Sequence, residues 1–276
     1  MIMKCSPGLE KSPDLRISRF IRLFLWGVIA AAAIFAVLIF VIPLDLYRLI
    51  GHCFEACAAL SCMTICLYAY RSWSRRMILL LAAFAFGEYA LATVFWYLFS
   101  LLPVTEMLGR PYVFMTVSEF SFLGFMLFFI AGFQIEQPEK PFPALYAWLV
   151  LGIFMSIPLA IAGFEGLTVR TSLLFLRFFI VEQLLVVTVT RGFSKYSLLW
   201  AGLCLRVLVS GLYGIRETLF LQNPSWNITL SATSGTLPLY DFFSIIGPLV
   251  IASFAFIMLG LLDYTASSGK PACFVP

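Results

Sequence analysis

Eight apolar runs, each about long enough to cross a lipid bilayer, follow one another along this chain with little polar sequence between them. They cover about Arg22 to Leu44, Tyr47 to Tyr70, Met77 to Leu102, Tyr112 to Phe133, Ala144 to Phe164, Thr171 to Thr190, Tyr196 to Phe220 and Leu239 to Leu262. A helix needs about 20 apolar residues to traverse a hydrocarbon core of roughly 30 Å, so eight crossings consume most of the chain and leave short connections. Charge, proline or glycine breaks each run from the next, as at Pro43-Leu-Asp45, Arg71 to Arg76, Glu136 to Pro143 and Arg191 to Lys195. Open-ended segments satisfy their own backbone in lipid only as helices. The expected fold is therefore all-α, a polytopic integral membrane helical bundle of about eight transmembrane helices. Residues 1–21 form a cytoplasmic basic leader, 22–263 a single transmembrane domain and 264–276 a short cytoplasmic tail.

Composition agrees. The hydrophobic fraction is 62%, the charged fraction 12% and the mean hydropathy +1.00, where a soluble domain has about a quarter of its residues charged. No room remains for a separate catalytic or DNA-binding domain. The net charge of +4 does not imply nucleic acid as a partner, because the basic residues sit mainly at helix ends. Of the 18 Lys and Arg, twelve fall in segments that are cytoplasmic if the N-terminus is inside, and only Arg48, Arg110, Arg170 and Arg216 fall outside; Arg177 and Arg206 lie within runs. Positive residues concentrate on the cytoplasmic side, so both ends are expected inside, in a multi-pass protein of the cell membrane with lipids as its neighbours. The first run is long enough to span and follows a basic leader, so it reads as a retained helix rather than a cleaved signal.

The ionisable residues inside these runs are the candidate functional residues, since each costs several kcal/mol in hydrocarbon unless paired or wetted. Run two carries His52 and Glu55, run three Glu88, run four Glu119, run six Arg177 and Glu182, run seven Arg206, Arg216 and Glu217, and the start of run eight Asp241. On the N-inside topology, Glu88, Glu182 and Arg206 fall near mid-membrane and the others in the outer half, which points to a polar cavity opening outward. His52, Glu55, Ala59, Cys62 and Cys66 step by three or four along one helix, as do Arg206, Ser210, Tyr213 and Glu217 along another. Each series is a polar stripe that must face protein or water. Arg206 and Arg177 are expected to neutralise some of Glu55, Glu88, Glu119 and Glu182. Carboxylates outnumber arginines there, so at least one is expected to be neutral or to titrate near physiological pH.

Several chemistries can be set aside. His52 is the only histidine, which excludes bis-histidine haem and multi-His metal sites within one subunit. The pairs Cys53 with Cys57 and Cys62 with Cys66 read as small apolar packing residues, and no disulfide framework, cofactor or metal is expected. Cys53 beside His52 cannot form a nucleophilic pair, because sequence neighbours point to different helix faces. Pro158 and Pro248 mark kinks, and the Ser- and Thr-rich stretch from Gln222 to Pro238, with its Asn227-Ile-Thr229 tripeptide, reads as a solvated loop.

Within run two the sequence reads His52-Cys-Phe-Glu55, then an apolar stretch ending Tyr70-Arg-Ser-Trp-Ser-Arg-Arg76 before the next run. This resembles the membrane-associated sensor domains (the MASE group) of prokaryotic signalling proteins, in which a helix with an outer His and Glu ends in a Trp-Asn-Ser-Arg-like cytoplasmic turn. The acidic helix Pro111 to Phe133 with Glu119, and the Arg- and Glu-rich pair from Phe175 to Phe220, fit that layout. The resemblance covers about 55 residues and is a fold-level analogy. Glu88 stands where that group has an Asp-and-His pattern, and no kinase, cyclase or receiver domain follows Asp263. The resemblance implies a module that signals through a separate cytoplasmic or membrane partner.

Three functional readings follow. The first is a sensor-like or accessory module that binds a small or lipid-like ligand in the outer-half cavity and relays a helix shift. The second is a proton- or ion-coupled transporter whose carboxylates alternate protonation. The third is a membrane enzyme acting on a lipid head group; no catalytic residues are assigned, and the balance leans against an enzyme.

Overall fold

The computed structural model describes residues 15–100, 124–133, 135–136, 196–222, 229–232, 235–238 and 246–267. Within them run helices α1 (Leu15–Leu38), α2 (Leu44–Ser72), α3 (Met77–Ser100), α4 (Gly124–Phe133), α5 (Ser197–Gln222) and α6 (Ile246–Ser267), with strands β1 (Thr229–Ala232) and β2 (Gly235–Pro238) between α5 and α6. Four of these, α1, α2, α3 and α6, are long and apolar enough to cross a membrane; α4 and part of α5 are shorter apolar helices. Runs five and six lie outside the described residues.

The short antiparallel pair β1–β2, with Leu230 opposite Leu237 and Ser231 opposite Thr236, occupies part of the connection read as a loop. Thr229 and Thr236 are β-branched and suit extended backbone. Pro158 lies outside the described residues, and Pro248 is the third residue of described α6, the residues just before Ile246 lying outside the described ones.

Helix α6 is the centre of the bundle. It packs against α1, α2 and α5, while α2 also pairs with α3, and Val250, Ile251, Phe254, Ala255, Ile257, Met258, Leu259 and Leu261 are fully buried. Helix α1 is peripheral: Phe20 and Leu23 are each 71% exposed, and Ile34 and Val37 point outward as well. An outer face this apolar is stable only against lipid, so the surface leads to the same conclusion as the helix lengths, a membrane protein.

Two contacts between backbones hold α5 to α6. A Cβ at Gly202 would come 2.6 Å from the Ile257 nitrogen, and one at Gly260 would collide with the Leu199 backbone. Small residues let membrane helices approach this closely, and dispersion between their backbones then replaces the hydrophobic drive that lipid cannot supply.

One end of the bundle is tied by charge. Arg22 on α1 donates to Asp263 on α6 at 2.7 Å. Arg76 at the start of α3 pairs with Glu136 at 3.7 Å and lies 5.4 Å from the Tyr264 ring centroid. Tyr196, ahead of α5, meets Tyr264 edge to face at 5.2 Å. The starts of α1, α3 and α5 and the ends of α2, α4 and α6 therefore gather at this end, so successive described helices alternate in direction.

At the opposite end Tyr47 stacks on Phe35 at 4.4 Å, joining α1 to α2. Tyr47 is 1% exposed and its hydroxyl has no hydrogen-bond partner among the described residues. A buried hydroxyl without a partner costs about 1–3 kcal/mol. Tyr47→Phe is expected to raise the melting temperature of the detergent-solubilised protein by roughly 2–4 °C; a fall would mean that the hydroxyl is satisfied.

Candidate functional site

The polar stripe of α2 turns inward. Glu55, Ala59, Cys62 and Cys66 are buried, and His52 at its head is half-buried with its ring 6.3 Å from that of Tyr97. Below Glu55 the stripe is packing: Cys66 Sγ lies 3.2 Å from Met258 Sδ on α6, and the described cysteines Cys53, Cys57, Cys62, Cys66 and Cys204 are free thiols. No cluster of three metal-ligating side chains occurs among the described residues.

Arg206 on α5 is 3% exposed and reaches into an aromatic cage. Its guanidinium carbon sits 4.7 Å from the centroid of Tyr89 (α3), 5.0 Å from Phe125 (α4) and 5.9 Å from Phe254 (α6). The rings also hold one another, with Tyr89 and Phe254 edge to face at 4.6 Å and Phe86 packed on Phe125 and Phe254. A guanidinium against ring faces gains cation–π attraction of about 2 kcal/mol when desolvated. That attraction does not satisfy N–H groups, and Arg206 Nε and Nη1 are buried without a hydrogen-bond partner among the described residues.

Glu55 lies on the other side of Tyr89 and is 6% exposed. The Tyr89 hydroxyl donates to Glu55 Oε2 at 3.4 Å, a long bond, while the ring of the same residue faces Arg206. Glu55 Oε1 lies against α6 where that helix has no side chain: a Cβ at Gly247 would come 2.6 Å from it. Two buried ionisable groups of opposite sign thus share one tyrosine and form no direct ion pair. Among the described residues Arg206 makes no direct ion pair with Glu55 or Glu88, and the ring of Tyr89 stands between Arg206 and Glu55; Arg177, Glu119 and Glu182, the other groups expected to share in neutralisation, lie outside the described residues.

Counted along each helix from the ionic end at about 1.5 Å per residue, Arg206, Tyr89, Phe125 and Phe254 lie roughly 14 to 20 Å in. The cage thus lies about half of a roughly 30 Å span in from the ionic end. Glu88 sits half-buried on α3, with its Cγ 3.6 Å from where a Cβ on Gly124 would be. Tyr213, Arg216 and Glu217 lie farther along α5. Glu119, Arg177, Glu182 and Asp241 lie outside the described residues. The structure therefore brings together Glu55 and Arg206 of the sequence-derived set, and adds Tyr89, Phe125, Phe254 and Gly247, which the sequence does not mark.

None of the family models matches the chain, and neither a curated protein nor a solved structure matches it.

Proposed function

We propose that this chain is a multi-pass cell-membrane protein of about eight spans, both ends cytoplasmic, that binds a small ligand between Glu55 and Arg206 and relays a helix shift to a separate partner. The observation that carries the reading is Arg206: buried, ringed by aromatics, and with two donors that have no partner among the described residues. Leaving such donors unsatisfied in a low-dielectric interior costs several kcal/mol, a cost that a ligand able to accept from them would remove. The surrounding groups come from α2, α3, α4, α5 and α6, so a ligand here touches nearly every described helix and can bias their packing. The topology is supported by the ionic end, where Arg19, Arg22, Arg71, Arg75 and Arg76 stand on the helix ends that gather there. Glu136 and Tyr196 both belong to that end, as two crossings by runs five and six require. The MASE-like reading of α2 is consistent with a partner docking on the Arg71 to Arg76 turn.

Thermal unfolding of the purified full-length chain against a panel of ions and metabolites tests the proposal. A cognate ligand at about 100 times its Kd stabilises by about 2.7 kcal/mol, or roughly 5–10 °C for a chain of this size. The gain is expected to vanish in Arg206→Lys, whose ammonium cannot reproduce the planar donors. If no compound shifts the transition, or if Arg206→Lys responds like the wild type, the proposal fails.

A further inference from the structure

Three features of the Arg206 centre restrict what can bind there. Tyr89 and Phe125 lie close to the guanidinium carbon and Phe254 approaches within 5.9 Å, so a ligand is left the in-plane donors, of which Nε and Nη1 have no partner among the described residues. Planar N–H donors of this kind take carboxylate or phosphate oxygens. Across Tyr89, Glu55 receives only one long hydrogen bond among the described residues, and its Oε1 borders the bare backbone of Gly247.

Charge balance then selects among anions. Among the described residues of the centre, Arg206 and an ionised Glu55 cancel in sum without forming an ion pair. A simple anion satisfies Arg206 but leaves this buried centre with excess negative charge. A simple cation satisfies Glu55 and leaves the guanidinium donors bare. Uncompensated charge in a low-dielectric interior is expensive in either case. A ligand carrying both charges completes both ends.

We infer that the centre between Glu55 and Arg206 binds a zwitterionic group, a carboxylate or phosphate oxygen accepting from an unpartnered guanidinium N–H of Arg206 and its primary ammonium donating to Glu55. This rests on the reading of the centre as a ligand site. The same chemistry occurs in free amino acids and in the head group of an ethanolamine phospholipid, and the experiment separates them.

The full-length chain is purified in a detergent free of zwitterionic groups, and its melting temperature is read against glycine, β-alanine and glycerophosphoethanolamine. Acetate, inorganic phosphate and ethanolamine supply the separate halves. Lipid nanodiscs of phosphatidylglycerol, with and without phosphatidylethanolamine, supply the membrane-borne form. At least one zwitterion is expected to raise the transition by about 5 °C or more while the halves, alone or combined, do not. The response is expected to disappear in Glu55→Gln. A response to glycine or β-alanine identifies a free amino acid class. A response to glycerophosphoethanolamine and to phosphatidylethanolamine discs, without the amino acids, identifies the head group. Should Glu55→Gln fail to fold, Glu55→Asp keeps the charge and withdraws it, and the concentration giving half the effect is expected to rise at least tenfold. Equal stabilisation by acetate or phosphate, or a zwitterion effect unchanged in the Glu55 variant that folds, overturns the zwitterion while leaving an Arg206 ligand site standing. No shift with any probe overturns both.

Discussion

Gly260→Ala is expected to abolish the folded bundle, and Gly260→Leu to do so more completely, although both add apolar atoms to an apolar helix. A Cβ at residue 260 collides with the backbone of Leu199, and neither backbone can move aside as a flexible side chain can. The facing contact at Gly202, against Ile257 and Phe256, fixes the same pair of helices about one turn away. Separating α5 from α6 there would open packing around Leu199, Leu203, Ile257 and Met258, all fully buried. Overpacking of a close-packed core costs about 1–3 kcal/mol where side chains can yield, and more where they cannot. For Gly260 the expected loss exceeds about 3 kcal/mol, a large share of the 5–15 kcal/mol typical of a folded protein. The readout is the fraction of monodisperse protein on size-exclusion chromatography, with Gly27→Ala as the control. Nothing lies within 4 Å of a Cβ at Gly27, so that variant is expected to behave as the wild type. A normal yield of Gly260→Ala would mean that α5 and α6 do not pack through this contact.

The second large effect concerns charge. Glu55→Gln keeps the shape of the side chain and its contact with Tyr89, but it removes the buried carboxyl that lies across Tyr89 from Arg206, leaving that cation without a buried counter-charge among the described residues. The expected cost is roughly 2–3 kcal/mol, since one half of a buried pair is more expensive to remove than both. Tyr89 adds to the effect because its hydroxyl bonds Glu55 while its ring covers Arg206. Melting temperature in detergent reads this directly, and an unchanged value would show that the two charges are not coupled.

Much of this arrangement could be read along the chain, but not across it. The step of three and four that joins Glu55, Ala59, Cys62 and Cys66 predicts an inward face, and those residues are buried. Arg206 and Ser210, one turn apart on α5, are both buried too. Helix ends were less legible. Hydropathy starts the first run at Arg22, whereas α1 begins at Leu15, because Arg16 and Arg19 favour helix as readily as they mark a membrane boundary. Nothing in the sequence singles out Phe125 or Phe254 among 29 phenylalanines. Their role arises only when α4 and α6 meet α3 and α5, and lipid-facing hydropathy carries no record of which helices are neighbours. The same holds for Arg22 with Asp263, a pair formed across almost the whole chain. Charge counting reads such residues as orientation signals, and the fold also uses them to tie helix ends together, each half-exposed pair being worth about 0–1 kcal/mol.

The central claim is that Arg206 and Glu55 are kept for a ligand and not for stability. The double variant Arg206→Met/Glu55→Gln tests it most directly, since it removes both charges while retaining side-chain volume and the aromatic packing. If the centre is a binding site that costs stability while empty, the double variant melts at or above the wild-type temperature, recovers the loss seen in Glu55→Gln, and no longer responds to any compound that stabilises the wild type. A double variant that melts below the wild type by the equivalent of about 2 kcal/mol or more would contradict the account. It would identify the caged arginine and its carboxylate as the contact that holds the bundle together.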